Sequence, residues 1–143
     1  MNKLLLAVLI LVTSSSSMAG WTEIWALDDI EKAYVDSSSI SANGNMVTMR
    51  NLIDFEDRQS FKNLFFPKAV RYLSRINEIE YDCSNMTTNL VDSVLYADHM
   101  GSGVAVHVSK VLLLEKPFRI IRTTPKTHLE LLFEVACGSR QNL

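Results

Sequence analysis

The two cysteines, Cys83 and Cys137, carry the most reactive side chains of this 143-residue chain. A thiol on an apolar face can be inert filling, a metal ligand, a nucleophile or one half of a cross-link. Positions 83 and 137 are 54 residues apart, which is not the CxxC spacing of redox pairs, and no further cysteine is present to build a zinc site. The role of these thiols therefore depends on the compartment in which the chain folds.

The first residues have the features of a secretory signal peptide. Lys3 precedes an apolar run of nine residues, which is much shorter than the roughly 20 residues of a membrane span. Ser17 and Ala19 are the small residues expected at positions −3 and −1 of a cleavage site before Gly20. We therefore predict that residues 1–19 are removed, and no cysteine lies near the cut to accept a lipid anchor.

Residues 20–143 have the size of a single domain. Without Lys3 the 14 basic residues become 13, against 16 acidic ones, so the net charge is −3. The nearest approach to a basic patch is a scattered set, Lys68, Arg71 and Arg75, which is typical of a solvated strand face. Nucleic-acid binding is therefore not expected.

In an exported protein with only two cysteines, a disulfide between Cys83 and Cys137 is the expected state. The chain-entropy estimate for a closed loop of this length is on the order of 4 kcal/mol of stabilisation. We predict that this bond is structural and not catalytic.

Histidines are the next candidates for metal binding or general base catalysis, and the chain has three. If the GSG turn is tight, His99 pairs with Val104 and points to the opposite face of the sheet from His107. His128 lies at the start of a predicted helix. We therefore expect no shared metal site.

Catalytic motifs are absent from the sequence: it has no GxSxG, HExxH, P-loop or dinucleotide fingerprint. We predict no catalytic residue, no metal and no cofactor. Two alternatives stay open, a carrier of a small ligand such as haem, held by His99 or His107 with Met100 nearby, and a hydrolase whose acid pair forms only in the folded chain.

Alternation with a period of two predicts a sheet. In NEIEYDC, residues 77–83, Ile79, Tyr81 and Cys83 fall on one face and the acidic residues on the other. This segment ends a long predicted strand, residues 69–83, which is bent or bulged near Ser74. The other predicted strands cover 21–27, 32–36, 46–54, 84–100 and 103–109, with turns at 36–40, Asn43-Gly44 and 101–103. Residues 111–121 form either a further strand pair or one strand interrupted at Pro117.

The segment 55–67, FEDRQSFKNLFFP, breaks this alternation and carries four phenylalanines. One interpretation is a helical turn whose apolar residues cover the edge of the core. The other is a protruding loop that offers Phe65 and Phe66 to a partner, and these two residues are our predicted binding residues.

Near the end of the chain the period changes to that of a helix. Thr124 is the expected N-cap, and Leu129, Leu132, Phe133 and Ala136 form an apolar stripe that ends at Gly138. Cys137 lies at the edge of this stripe. Lys126, Glu130 and Glu134 are expected on the solvent side. The helix and the sheet thus place their cysteines on facing surfaces.

Taken in order, these pieces resemble the surface-adhesin protein E family of small exported bacterial proteins. The resemblance covers nearly the whole predicted mature chain. It rests on Trp21, AYVDSSSI with the NGN turn, Ser74 followed by EYDC, Tyr96 with MGSG, and Pro125 before a helix that ends in ACG.

The resemblance implies an α+β fold: an antiparallel sheet of about six strands, with one C-terminal helix held on its concave face by the disulfide. It also implies a non-enzymatic binding module of the bacterial cell envelope, periplasmic or at the surface, whose partner is a host matrix protein or an envelope protein. This chain lacks the lipid-acceptor cysteine of the adhesin that names the family, so no lipid anchor is expected.

Overall fold

The computed structural model describes residues 20–24, 31–109, 117–121 and 127–138. The elements are β1 Trp21–Ile24, β2 Glu31–Asn43, β3 Met46–Phe61, β4 Val70–Asp82, β5 Thr87–Tyr96, a 3₁₀ turn His99–Gly101, β6 Ala105–Ser109, β7 Phe118–Arg119 and the helix α1 His128–Cys137. Within these residues, no helix is long and apolar enough to cross a membrane.

The strands form one antiparallel sheet in which each strand from β1 to β6 pairs with the next in sequence. The short β7 pairs with the start of β5. The predicted sheet of about six strands with one C-terminal helix is confirmed. Sequential pairing keeps every connection local, which is the simplest way to arrange alternating strands.

The prediction of a turn at residues 36–40 is wrong, because these residues lie within strand β2. The register with β3 shifts between Asp36 and Ser41, so the extra residues form an irregularity inside the strand. The carboxylate of buried Asp36 accepts a hydrogen bond from the Ser38 backbone N–H (3.1 Å) and lies 3.3 Å from the Arg50 guanidinium. These polar contacts let the strand continue where the local sequence favours a turn.

The hairpin between β2 and β3 is present, one residue later than predicted. Asn43 still pairs with Met46, and the two loop residues are Gly44 and Asn45. Gly44 takes the positive φ of +58°, as the first loop position of a tight hairpin requires.

Helix α1 packs on one face of the sheet, where the buried apolar residues gather. The core contains Leu132, Phe133, Ala136 and Cys137 from the helix, together with strand residues. The strand residues and one residue after β7 are Val35, Val47, Met49, Ile79, Tyr81 and Ile120. The predicted helix stripe and the alternation of Ile79 and Tyr81 are therefore confirmed.

The Cys83–Cys137 disulfide is present and joins the residue that follows β4 to the last residue of α1. The rings of Tyr81 and Phe133 meet beside it, with centroids 6.2 Å apart. The bond therefore closes the same interface that the apolar residues form.

The start of the helix differs from the prediction. Its N-cap is Thr127, whose hydroxyl accepts a hydrogen bond from the Glu130 N–H at 3.3 Å. Thr124 and Lys126 lie outside the described residues. Glu130, predicted on the solvent side, is buried. The helical period places residue 130 beside the stripe, but only the packing of the helix against its neighbours decides whether that flank is covered.

Residues 55–61 are strand and not a helical turn, so the first interpretation of this segment is wrong. β3 continues to Phe61 and carries four residues, 55–58, between its pairings Asp54–Ser74 and Gln59–Tyr72, where β4 has one. The irregularity expected near Ser74 is therefore found, with its extra residues in β3. The extra residues in β3 interrupt the alternation of apolar and polar residues in the sequence, but the strand continues past them.

Candidate functional site

The loop between β3 and β4 exposes two large apolar side chains. Leu64 is 97% exposed and Phe65 is 66% exposed. The side-chain oxygen of Asn63 accepts hydrogen bonds from the backbone N–H groups of Phe65 (2.9 Å) and Phe66 (3.0 Å). A single asparagine thus shapes the tip of the loop and directs Phe65 to solvent.

The two predicted binding residues have different environments. Phe66 is half-buried, and its ring lies edge-on to Phe61 with centroids 5.9 Å apart. Phe66 therefore packs on the base of the loop, whereas Phe65 is available for contact. Binding by either residue stays a prediction.

A second candidate is a cavity of about 440 Å³ at the end of the sheet where β2 begins. Its lining combines acidic, aromatic and histidine side chains. The lining residues are Glu31, Lys32, Tyr34, Asp54, Phe55, Glu56, His99 and Met100. The volume is within the range of sites for small ligands.

The wall formed by the 3₁₀ turn is fixed by the Asp54 carboxylate. One of its oxygens accepts a hydrogen bond from the Met100 backbone N–H (2.8 Å), and the other lies 3.2 Å from Nδ1 of His99. Met100 has a positive φ of +56°. A methionine in this conformation is uncommon, and the hydrogen bond to Asp54 helps to hold it there.

Ser74 anchors the turn from the other side. Its buried hydroxyl donates to the backbone oxygen of Asp98 (2.5 Å) and accepts from the Gly101 N–H (2.9 Å). Gly101 comes so close to the sheet that a Cβ there would lie 2.8 Å from Cδ1 of Ile76. The turn therefore lies directly on the sheet.

This turn overturns the predicted pairing of His99. Ala97, not His99, bonds to Val104, because Asp98 to Gly103 form a wider turn than the GSG sequence indicated. His99 consequently leaves the strand alternation and reaches Asp54.

The histidines do not meet. Each lies beside a different carboxylate: His99 beside Asp54, His107 beside Asp92, and His128 with its Nδ1 3.3 Å from Oε1 of Glu31. In the part of the chain that the structure describes, no group of histidine, cysteine and acidic side chains could hold a metal ion. Of the two predicted haem ligands, only His99 lines the cavity, together with Met100.

Two tyrosines have perturbed acidity for different reasons. Partial burial raises the pKa of Tyr34, and the negative charges of Glu23 and Asp54 raise it further. Burial alone raises the pKa of Tyr81, which lies in the core against Phe133. The raised pKa of Tyr34 thus includes an effect of neighbouring negative charges, whereas Tyr81 is a packing residue.

Sequence reasoning missed Tyr34 and Asp54. Asp54 had a visible signal, because it is a charged residue at the end of the apolar run Leu52-Ile53. Tyr34 had none, since an aromatic residue in an alternating strand is ordinary.

The comparisons with known proteins agree with this architecture. A protein-family model described as surface-adhesin protein E matches residues 21–138, which include every described strand and α1. The chain belongs to the surface-adhesin protein E family. Membership of this family implies an exported or cell-surface protein. A search of curated proteins finds no match to the chain.

Solved structures of Haemophilus influenzae protein E have a similar fold. One is 15% identical with a TM-score of 0.56, covering 85% of this chain and 87% of the other. A second, in crystal form II, is 18% identical with a TM-score of 0.55, covering 76% of this chain and 82% of the other. At these identities the likeness concerns the fold.

Proposed function

We propose that this family member is a non-enzymatic binding module of the bacterial cell envelope, and that it binds a protein partner through the loop between β3 and β4. The observation that supports the loop is the exposure of Leu64 and Phe65 at its tip. Large apolar side chains cost solvation free energy in water, and an aromatic residue is a common anchor of a protein interface.

The shape of the loop supports the same proposal. Asn63 and the Phe61–Phe66 ring contact order the backbone beneath Phe65. An ordered loop loses less conformational entropy on binding than a flexible one. The proposed partner is a host matrix protein or an envelope protein, which is the class of partner that the family resemblance implies.

We propose further that residues 1–19 are cleaved before Gly20, and that the protein is periplasmic, secreted or at the cell surface without a lipid anchor. Cell fractionation and intact mass measurement test this part. A mature protein confined to the periplasm would restrict the partner to envelope proteins, and a lipid-modified mass would contradict the absence of an anchor.

The loop is tested by Phe65→Ser against a panel of extracellular-matrix proteins and envelope proteins in a surface binding assay. We expect an affinity loss of roughly 1–2 kcal/mol, about tenfold, for the true partner. The matched control is Ile121→Ser, which removes an apolar side chain of similar exposure (69%) outside the loop. Equal binding by the wild type and Phe65→Ser would contradict the proposal.

The cavity favours a second candidate function, a carrier of a small ligand. Haem fits the lining less well, because haem carries two anionic propionates and the cavity presents Glu31, Asp54 and Glu56. The charges of the cavity favour a different class of ligand.

A further inference from the structure

The cavity at the start of β2 has an excess of negative charge. Three of its lining residues are acidic, Glu31, Asp54 and Glu56, and one is basic, Lys32. The three carboxylates and the one lysine of the lining therefore sum to a formal charge of −2. A cavity of this sign concentrates cations and repels anions.

Two aromatic rings and a thioether form the apolar part of the wall. Half-buried Tyr34 contributes one ring, Met100 the sulfur, and Phe55 the small part of its ring that burial and the edge-on contact with Tyr72 leave accessible. The face of an aromatic ring attracts an organic cation, and recognition of quaternary ammonium groups uses this contact. Carboxylates alone are also found on ordinary solvated surfaces, so the rings and the concave shape of the site are what make it suited to an organic cation.

The internal contacts leave part of the lining available. The Asp54 carboxylate is occupied by Met100 and His99, and Glu31 lies beside His128. In the described part of the chain, the exposed Glu56 carboxylate makes no ion pair and the Tyr34 hydroxyl makes no hydrogen bond. These two residues can therefore serve a bound ligand without breaking a contact of the fold.

We propose that this cavity binds a compact organic cation, an amine or quaternary ammonium group, either as a free molecule or as the basic side chain of a bound protein. The volume of about 440 Å³ accommodates a ligand of this size. Tyr34 and Phe55 contact the apolar part of the cation, and Glu56 balances its charge. This inference does not rest on the loop between β3 and β4, and its test uses other residues.

Lys32 is the competing internal cation. It stands directly opposite Asp54 in the β2–β3 register, and its side chain is exposed. If its ammonium group alone satisfied the acidic lining, an added cation would find no site. Removal of this lysine should therefore strengthen binding of an external cation.

The test is a titration of the disulfide-bonded protein with choline, followed by the backbone amide signals in two-dimensional NMR. We expect saturable shifts at residues 31–34, 54–56 and 99–101. The control ligand is 3,3-dimethylbutan-1-ol, which has the shape of choline without its charge. Choline should bind about tenfold more tightly than this alcohol, because the alcohol lacks the charge that the rings and carboxylates attract.

Variants locate the site. Glu56→Gln and Tyr34→Leu should each weaken choline binding several-fold, and Lys32→Ala should strengthen it. Glu56 is exposed, so its replacement is not expected to disturb folding. The matched control is Glu78→Gln, which removes a carboxylate from a separate groove on the sheet. This control should bind choline as the wild type does.

A lysine derivative distinguishes the two sources of the cation. Tighter binding of choline than of N-acetyl-lysine amide would indicate a free quaternary ammonium ligand, and the reverse order would indicate the side chain of a protein partner. Both orders support the cation site. Absence of saturable shifts, equal binding of the uncharged alcohol, or unchanged binding in both Glu56→Gln and Tyr34→Leu would overturn it.

Discussion

Single polar side chains set the local course of the backbone at three places in this protein. The side-chain oxygens of Asp36, Asn63 and Asp82 each accept a hydrogen bond from a backbone N–H two residues later. Short polar side chains favour this arrangement, because it satisfies a backbone donor that leaves the strand ladder. At Asn63 the same contact shapes the proposed binding loop.

Asp82 allows a prediction of pH dependence. Its pKa lies below the ordinary value of 3.8, chiefly because the Asn85 side chain donates to the carboxylate at 2.7 Å, with the backbone N–H groups of Asn85 and Ser84 adding to the effect. A lowered folded-state pKa contributes stability above the unfolded pKa, and this stability is lost as the pH falls through the folded pKa.

We expect thermal melts between pH 5 and pH 2 to show a smaller acid destabilisation in Asp82→Asn than in the wild type. The asparagine keeps an acceptor for the backbone donors but does not titrate. Parallel curves for the two proteins would show that Asp82 contributes nothing to the acid sensitivity. Asp57→Asn is the control, since it removes an exposed carboxylate from β3, away from the Asp82 turn.

At the scale of elements, the connection from β5 to β6 forms one wall of the cavity, through His99 and Met100. The 3₁₀ turn is held against the sheet by Ser74 from β4 and Asp54 from β3. Two neighbouring strands thus fix one connection. The polar contacts are needed because a turn that rests on a sheet would otherwise leave backbone groups without partners.

Ser74→Ala tests this attachment. The substitution leaves the Asp98 oxygen and the Gly101 N–H without the hydroxyl, so we expect a loss of roughly 1–3 kcal/mol in the free energy of unfolding by urea. Hydrogen exchange at Gly101 should accelerate more than exchange in α1. Exchange that rises equally in both places would indicate global destabilisation and contradict a local anchoring role. Ser60→Ala, on the exposed part of β3, is the control.

At the scale of the whole molecule, one helix covers one face of the sheet and the disulfide closes the pair. Residues 83 and 137 are 54 positions apart, so the bond links the middle of the described chain to its last helix. Helix α1 has only ten residues. A helix of that length is marginal in isolation, and its stability depends on packing and on the bond.

Replacement of both cysteines by alanine should lower the free energy of unfolding by about 4 kcal/mol, the chain-entropy estimate for a loop of this length. Urea unfolding of the double variant and of the reduced wild type measures this loss, and the two should agree. Because α1 is short, we expect its amides to lose hydrogen-exchange protection before those of β3 and β4. Full protection of α1 in the reduced protein would show that packing alone holds the helix.

The sequence by itself determined the features that depend on near neighbours. Alternation predicted the buried face of β4 with Ile79 and Tyr81, and the helical period predicted the stripe of Leu132 and Phe133. The position of each cysteine could then be predicted, because the period of its strand or helix places it on or beside the apolar face. Side-chain direction is set by the local backbone, so a short window of sequence contains this information.

Only the tertiary structure decided the features that depend on register and coverage. Asp54 and His99 are 45 positions apart, and they meet because the turn after β5 is wider than its glycines indicated and packs against β3 and β4. Glu130 is likewise buried although the helical period predicted it on the solvent side. Such contacts depend on where each connection leaves its strand and on which elements pack against it, and the hydrophobic period does not contain this information. The cavity is therefore a product of the fold as a whole.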